Sequence, residues 1–303
     1  MSVQFRTYSY SKDDRFGEDY SKLRDFLIEL DDCSYTFGRW DWMITHSHLQ
    51  EDGLRRIGLW EENGKIAAVA TYDTKLDGKC FFPYKKDYAF LLKEMIAYAR
   101  ENLAENNRDG RSRLLIRDGD EAFQAAAAEM RFAPTQDKDC DSVFHIDADK
   151  IKYTLPDGFS IVSMKDNPDY YKYGGVLWKG FNHELNGEGP YSPTPEHMRV
   201  YRDEFGRPNV NRDIKIAVAA PNGDFAAYCG MWQDAACENA LVEPVATDPA
   251  YRKMGLGRAA VLEAIRRCGK LGAKRAFVGS SQQFYYQIGF RPWATSTFWE
   301  ERR

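Results

Sequence analysis

Hydrophobic positions in the second half of the chain switch repeatedly between strand-like alternation and helical spacing, the pattern of a sheet flanked by helices. A strand is predicted over 158–164, helices over about 168–181 and 195–205, and a strand over 214–220. Pro221-Asn222-Gly223-Asp224 has the composition of a hairpin turn, and strands follow over 225–232 and 241–247. The clearest helix is 255–271, where Leu256, Ala260, Ala264, Ile265, Cys268 and Leu271 share one face. Arg266, Arg267 and Lys270 place cations near its C-terminus, and Gly272 follows as a cap. A strand over 276–279, a short helix and a last strand complete this half.

The first half repeats the order more faintly. A strand over 4–8 and a helix over 20–30 precede a hairpin, 56–60 and 66–72, turned at Glu61-Glu62-Asn63-Gly64. An amphipathic helix over 88–103, a strand over 113–117 and a helix over 121–130 follow. A second copy of one fold is the economical explanation. Residues 147–157 carry charges, Leu155-Pro156-Asp157-Gly158 and little apolar pattern, which suits a junction, so the expected domains are 1–150 and 151–303.

Composition agrees with two folded domains: 303 residues, 43% hydrophobic and 29% charged. The polar start of the chain and the lack of any apolar run of roughly 20 residues point to a cytoplasmic protein with no membrane partner. Cysteines 33, 80, 140, 229, 237 and 268 show no regular spacing, which argues against a disulfide framework or a zinc site. A net charge of −4 gives no basis for a nucleic-acid partner.

The stretch with chemical content is Val245-Ala246-Thr247-Asp248-Pro249-Ala250-Tyr251-Arg252-Lys253-Met254-Gly255-Leu256-Gly257-Arg258-Ala259, a strand end, a turn and the start of the long helix. Successive backbone N–H groups there, running into the unsatisfied donors of a helix N-terminus, suit an anion such as a pyrophosphate. Glycine lets the backbone come close, and Arg252, Lys253 and Arg258 add positive charge. The corresponding place in the first half reads Pro83-Tyr84-Lys85-Lys86-Asp87-Tyr88, without a glycine.

Arg252-Lys253-Met254-Gly255-Leu256-Gly257 resembles the Arg/Gln-x-x-Gly-x-Gly/Ala loop with which GNAT acetyltransferases hold the pyrophosphate of coenzyme A. The resemblance extends from about 214 to 290 and includes Phe284-Tyr285-Tyr286-Gln287-Ile288-Gly289-Phe290, similar to the closing helix of that family. Glu243-Pro244-Val245-Ala246-Thr247 resembles the preceding strand in a tandem branch that includes mycothiol synthase-like proteins. Ser280-Ser281-Gln282-Gln283 departs from the family's Asn and small-residue pattern.

This resemblance implies an α/β (α+β) architecture of two tandem GNAT folds, each a mixed, mostly antiparallel sheet flanked by helices, the first degenerate. It implies acetyl-CoA as co-substrate, held by Val245, Ala246, Thr247 and the residues from Arg252, Lys253, Met254, Gly255, Leu256 and Gly257 to Arg258 and Ala259. Glu243 stands as general base and Tyr285 as general acid toward the departing sulfur. The acceptor is a primary amine of a small molecule: an amino sugar, aminoglycoside, polyamine or amino-acid derivative. The competing expectation is a non-catalytic acyl-CoA-binding or interaction module.

His183 and Glu184, which follow the first helix of the second half and precede Asn186 to Tyr191, a stretch with the glycine-rich polarity of a mobile loop, are weaker acceptor-site candidates. Three features are set aside. His46-x-His48 would place two imidazoles on one side of a strand without a supporting ligand array, so no metal is expected. Trp40 and Trp42 alternate as if half-buried, and Asp137, Asp139 and Asp141 read as a solvated turn.

Overall fold

The computed structural model describes residues 2–12, 14–31, 35–104 and 112–302. Cys33 lies outside them, and the other five cysteines are free thiols. The chain divides into two compact units. The first comprises Met1–Ser142, Gly279–Ser281 and Pro292–Arg303, the second Val143–Val278 and Gln282–Arg291.

In the first unit the described order is β1 (Gln4–Thr7), α1 (Glu18–Leu30), α2 (Phe37–Thr45), β2 (Gly58–Glu62), β3 (Lys65–Ala70), β4 (Lys79–Cys80), α3 (Leu92–Asn102), β5 (Arg113–Arg117), α4 (Glu121–Glu129) and β6 (Phe132–His145), whose last residues enter the second unit. β1, β2 and β3 form an antiparallel sheet in which Phe5 faces Trp60 and Trp60 faces Ala68.

Three expectations fail here. Residues 37–45 are a helix, N-capped by Thr36, whose hydroxyl accepts from the Arg39 N–H at 3.1 Å. Phe37, Trp40, Met43 and Ile44 recur at helical spacing and are buried, so the aromatic pair does not alternate across a strand. His46 caps this helix rather than sharing a strand face with His48, and burial, with lesser effects of His48 and Arg39, pushes its imidazole down to about 4. Asp137, Asp139 and Asp141 lie at alternate positions of the long strand β6, not in a turn, and Asp137 pairs with Arg113 at 2.6 Å. Polar residues on both faces hide that strand from a periodicity test.

The second unit runs β7 (Ser160–Ser163), α5 (Tyr170–Gly180), α6 (Pro195–Phe205), β8 (Lys215–Ala219), β9 (Phe225–Gln233), β10 (Asn239–Thr247), α7 (Leu256–Lys270), β11 (Arg275–Val278) and α8 (Gln283–Ile288). Its sheet has the order β11-β10-β9-β8-β7, antiparallel except for the parallel pair β10–β11. One face buries Ile216, Val218, Cys229 and Met231 against Leu256, Ala260, Ala264, Ile265 and Cys268 of α7. Each large aliphatic side chain buried this way contributes about 1.5–3 kcal/mol. Tyr173 and Val176 of α5 cover Ala217 and Tyr228 on the other face.

The expected boundary near 150 falls inside this unit. Ile146, Ile151, Tyr153 and Leu155 pack on its core, and the Ile146 N–H donates to the Lys274 carbonyl at 2.8 Å. Residues 146–155 thus form a strap along α7, and a Cβ on Gly269 would meet Ile146 Cγ2 at 2.6 Å. Tyr153 donates its hydroxyl to Glu263 at 2.9 Å. Burial alone would raise the Glu263 carboxyl, but hydrogen bonds from Arg266, Arg267 and Tyr153 outweigh it and hold the group below its ordinary value. Stabilisation from this carboxylate is therefore present above the ordinary glutamate range and is lost as pH falls through the lowered value.

The last strand, β12 (Arg291–Glu301), does not complete the second unit as its sequence position suggests. From Pro292 it belongs to the first, pairing antiparallel with β5 from Ser296 opposite Arg117 to Glu300 opposite Arg113. β4 covers the other edge of β5 with a two-residue parallel pairing, so β5 depends on β12 for most of its ladder. Deletion of Pro292–Arg303 is expected to strip protection from the amides of Arg113–Arg117 in hydrogen exchange and to lower the urea midpoint of the first unit. Unchanged β5 protection would show that the strand stands without its late partner.

Candidate functional site

The turn between β10 and α7 contains two left-handed residues, Lys253 at φ 67° and Gly255 at φ 80°. Gly255 occupies the N-cap without a side-chain cap, and α7 makes its first internal bond from the Ala259 N–H to the Gly255 carbonyl at 3.0 Å. The N–H groups of Leu256, Gly257 and Arg258 have no partner among the described residues, as the first turn of a helix dictates. They add their dipoles to the positive end of the helix, which makes an anion site.

Beside this turn, β10 parts from β11. The two pair only from Asn239 opposite Arg275 to Leu241 opposite Phe277, whereas β10 stays paired with β9 as far as Thr247. The β9–β10 register shifts between Val242 and Val245, around Glu243 and Pro244. Proline has no N–H for the ladder, so an irregularity is needed there. Gly230 of β9 makes room for it, because a Cβ would sit 2.5 Å from the Glu243 carbonyl oxygen. The Trp232 indole donates to that oxygen at 3.1 Å, and the Lys215 ammonium lies 3.4 Å from the centre of a Trp232 ring.

A cleft of about 840 Å³ fills the gap, lined by Val245, Ala246 and Thr247 of β10, the loop and first turn of α7, Phe284, Tyr285 and Ile288 of α8, and the end of α5. Two glycines set its width. A Cβ on Gly180 would come within 2.7 Å of Ala246 Cβ and 2.9 Å of the Thr247 nitrogen, and one on Gly257 within 2.6 Å of Thr247 Oγ1. The Arg252 guanidinium is spent on architecture: it donates to the Gly180 carbonyl at 3.0 Å and to Asn182 Oδ1 at 2.6 Å, tying the loop to the end of α5. Lys253 and Arg258 make no such bond among the described residues and supply the cleft's available positive charge.

Tyr285 is 8% exposed and its ring packs edge-on against Phe284 and Phe290. Its hydroxyl has no hydrogen-bond partner among the described residues while the side chain lines the cleft. Burial first, then the charges of Cys229 and Glu243, push its pKa far above the ordinary tyrosine value, so it stays a proton donor. Tyr286 packs toward the core and does not line the cleft. Helix phase thus separates the two adjacent tyrosines.

Of the other expected residues, Val245, Ala246, Thr247, Arg252, Lys253, Gly255, Leu256, Gly257 and Arg258 all line the cleft. Met254 points to solvent at 41% exposure, and Ala259 is buried in the base of α7, so neither lines it. Glu243 sits at the irregularity two residues before the β10 wall, outside the lining but close enough for its charge to act on Tyr285. His183 and Glu184 are also outside, and their loop is tied down. His183 stacks on Trp178 at 4.3 Å and bonds Glu188 at 2.9 Å, Glu184 accepts from the Tyr191 N–H at 3.0 Å, and the Trp178 indole donates to the Gly189 carbonyl at 3.1 Å. Gly180, Phe181 and Asn182, not singled out in the sequence, complete the lining with Tyr251, Gln282 and Gln287, which were quoted there without a site role. The approach of α5 to β10 that brings the first three there is a tertiary contact with no local signature.

Residues 178–290 match the Acetyltransferase (GNAT) family. No curated protein sequence matches the chain. Among solved structures, a GCN5-related N-acetyltransferase from Sphaerobacter thermophilus superposes with a TM-score of 0.57 at 10% identity, covering 99% of this chain and 95% of that one. A tandem GNAT protein from the clavulanic acid biosynthesis pathway, without acetyl-CoA, gives 0.59 at 10% identity over 99% of this chain and 98% of its own. These likenesses are of fold, and they span both halves of the chain.

Gly257→Ala is expected to destabilise the protein by about 1–3 kcal/mol, as overpacking does. Adding Thr247→Ala removes the atom the new methyl meets and should restore part of the loss. Urea unfolding of both single variants and the double reads the coupling; purely additive effects would show that Thr247 does not set this spacing.

Proposed function

With residues 178–290 a domain of the GNAT acetyltransferase family and the whole chain in a tandem GNAT fold, we propose that this acyltransferase moves an acetyl group from acetyl-CoA directly to a primary amine of a small molecule. The observation that carries the proposal is one cleft holding both the three unpartnered N–H groups at the start of α7 and the unpartnered hydroxyl of Tyr285. The first is a cradle for a pyrophosphate, the second a proton donor at the far wall. Gly255, with its left-handed backbone, and Gly257, pressed on Thr247, fit a group that must approach main chain closely.

An acceptor amine with a pKa like that of lysine, about 10.4, has to lose a proton for attack on the thioester carbonyl. Glu243, outside the cleft lining, takes that proton through water. An N–H of the β10 wall, at Val245, polarises the carbonyl. Tyr285 gives its proton to the sulfur as coenzyme A leaves. Amino sugars, aminoglycosides, polyamines and amino-acid derivatives all present the required amine, and the protein is assigned to the cytoplasm. No helix is long and apolar enough to cross a membrane among the described residues.

We assign no coenzyme to the first unit. It has a cleft of comparable volume, about 790 Å³, lined in part by Tyr84, Lys85, Lys86, Asp120 and Phe123. The groups there are mutually engaged: Tyr84 donates to Asp120 at 2.7 Å, and Lys85 pairs with Glu29 at 2.7 Å. Its long helix is entered through a 3-10 turn at Lys86–Leu91 instead of a glycine loop. These features support reading the first copy as degenerate.

Calorimetric titration with acetyl-CoA should show binding to the wild type and none to a folded variant with bulky residues at Gly255 and Gly257. Tyr285→Phe is expected to lower turnover by about 10² or more with acetyl-CoA affinity nearly unchanged; full turnover would remove the hydroxyl from the reaction. Because the Tyr285 pKa lies far above an ordinary tyrosine's value of about 10, kcat should hold through pH 10 instead of halving there, and an alkaline limb centred near 10 would contradict that assignment. Binding without transfer across a broad amine panel would instead identify a non-catalytic acyl-CoA module.

A further inference from the structure

Arg258 and Ile288 line a second, smaller recess of about 210 Å³ as well as the main cleft, so the two are adjacent. Its polar lining is His145, Asp147, Lys150, Lys152 and Arg258. The only carboxylate among these is already neutralised, since Asp147 pairs with Lys150 at 2.8 Å. His145, Lys152 and Arg258 form no hydrogen bond or ion pair among the described residues. The recess therefore carries uncompensated positive charge in a chain whose net charge is −4.

This charge is held in place. Lys150 and Lys152 sit on the strap, which Ile146, Ile151 and Tyr153 anchor to the core packed under α7. The Tyr153–Glu263 bond fixes the strap one residue beyond Lys152. A recess of this volume is below the roughly 300–1,000 Å³ of pockets that enclose a whole ligand, which suits one substituent of a molecule seated mainly in the larger cleft. The substituent that the charge selects is an anion additional to the one cradled at the α7 N-terminus.

We propose that this recess takes the 3′-phosphate of coenzyme A, so that His145, Lys152 and Arg258 make the protein discriminate between coenzyme A and its 3′-dephospho form. The inference rests on the cofactor reading of the main cleft. A phosphomonoester carries about −1.5 to −2 charges near neutral pH, and exposed ion pairs each contribute modestly. Their sum predicts roughly tenfold discrimination at low salt, fading as screening shortens the Debye length from about 10 Å at 0.1 M to about 3 Å at 1 M salt.

The test titrates acetyl-CoA and acetyl-3′-dephospho-CoA separately into the wild type and into His145→Gln/Lys152→Gln, at low and high salt. The expected result is roughly tenfold tighter wild-type binding of acetyl-CoA at low salt, a gap that closes in high salt and narrows in the double variant, where Arg258 remains. Affinity for the dephospho ligand should be the same in both proteins. Equal wild-type affinities at low salt, or a gap undiminished by the double substitution, would overturn the subsite while leaving the cofactor reading standing. Failure of both ligands to bind the wild type would instead overturn the cofactor reading and the subsite with it.

Discussion

The second unit depends on one pair of parallel strands separating. A sheet gains by satisfying every backbone N–H and C=O, and an edge left open inside a fold has to be held open. β10 and β11 pair through Leu241 and Phe277 and then diverge. On one side the Glu243–Pro244 irregularity, accommodated by Gly230, interrupts the ladder to β9. On the other, the glycine end of α5 presses on Ala246 and Thr247, and α8 supplies an aromatic and aliphatic wall in Phe284, Tyr285 and Ile288. Each is a steric condition on one residue, and together they leave the β10 edge available to a ligand.

Charge follows the same local logic. An acidic chain has assembled a basic end to its cleft by using some cations as struts and leaving others available. Arg252 is consumed in joining the loop to α5, while Lys253 and Arg258 remain open to the site. Net charge averages over these roles, so it gave no basis for a nucleic-acid partner and did not describe the site. Burial does comparable work on Tyr285, whose hydroxyl keeps its proton because its surroundings disfavour the phenolate.

Much of the second unit was legible in the sequence because its signals are local. The apolar face of α7, the Gly255 and Gly257 turn and the individual strand patterns all lie within short windows. The tyrosine pair was not decidable from the sequence, since one residue of helix phase decides whether Tyr285 or Tyr286 faces the cleft. α2 was misread because Trp40 and Trp42 satisfy alternation, while the helical set Phe37, Trp40, Met43 and Ile44 becomes decisive only with the core in place. The strap looked like a junction because its few apolar residues, Ile146, Ile151, Tyr153 and Leu155, are spread among charges. Nothing local in 291–301 says which unit will claim that strand.

That last assignment gives the fold an order in time. Thr297 bonds Asp118 across 179 residues of sequence, and every residue of the second unit precedes Pro292. During synthesis at about 5–20 residues per second, every residue of the second unit is therefore made while β5 still waits for its partner. The first unit to be translated is the last to be finished, and its open β5 edge is exposed to wrong partners for the whole of that interval.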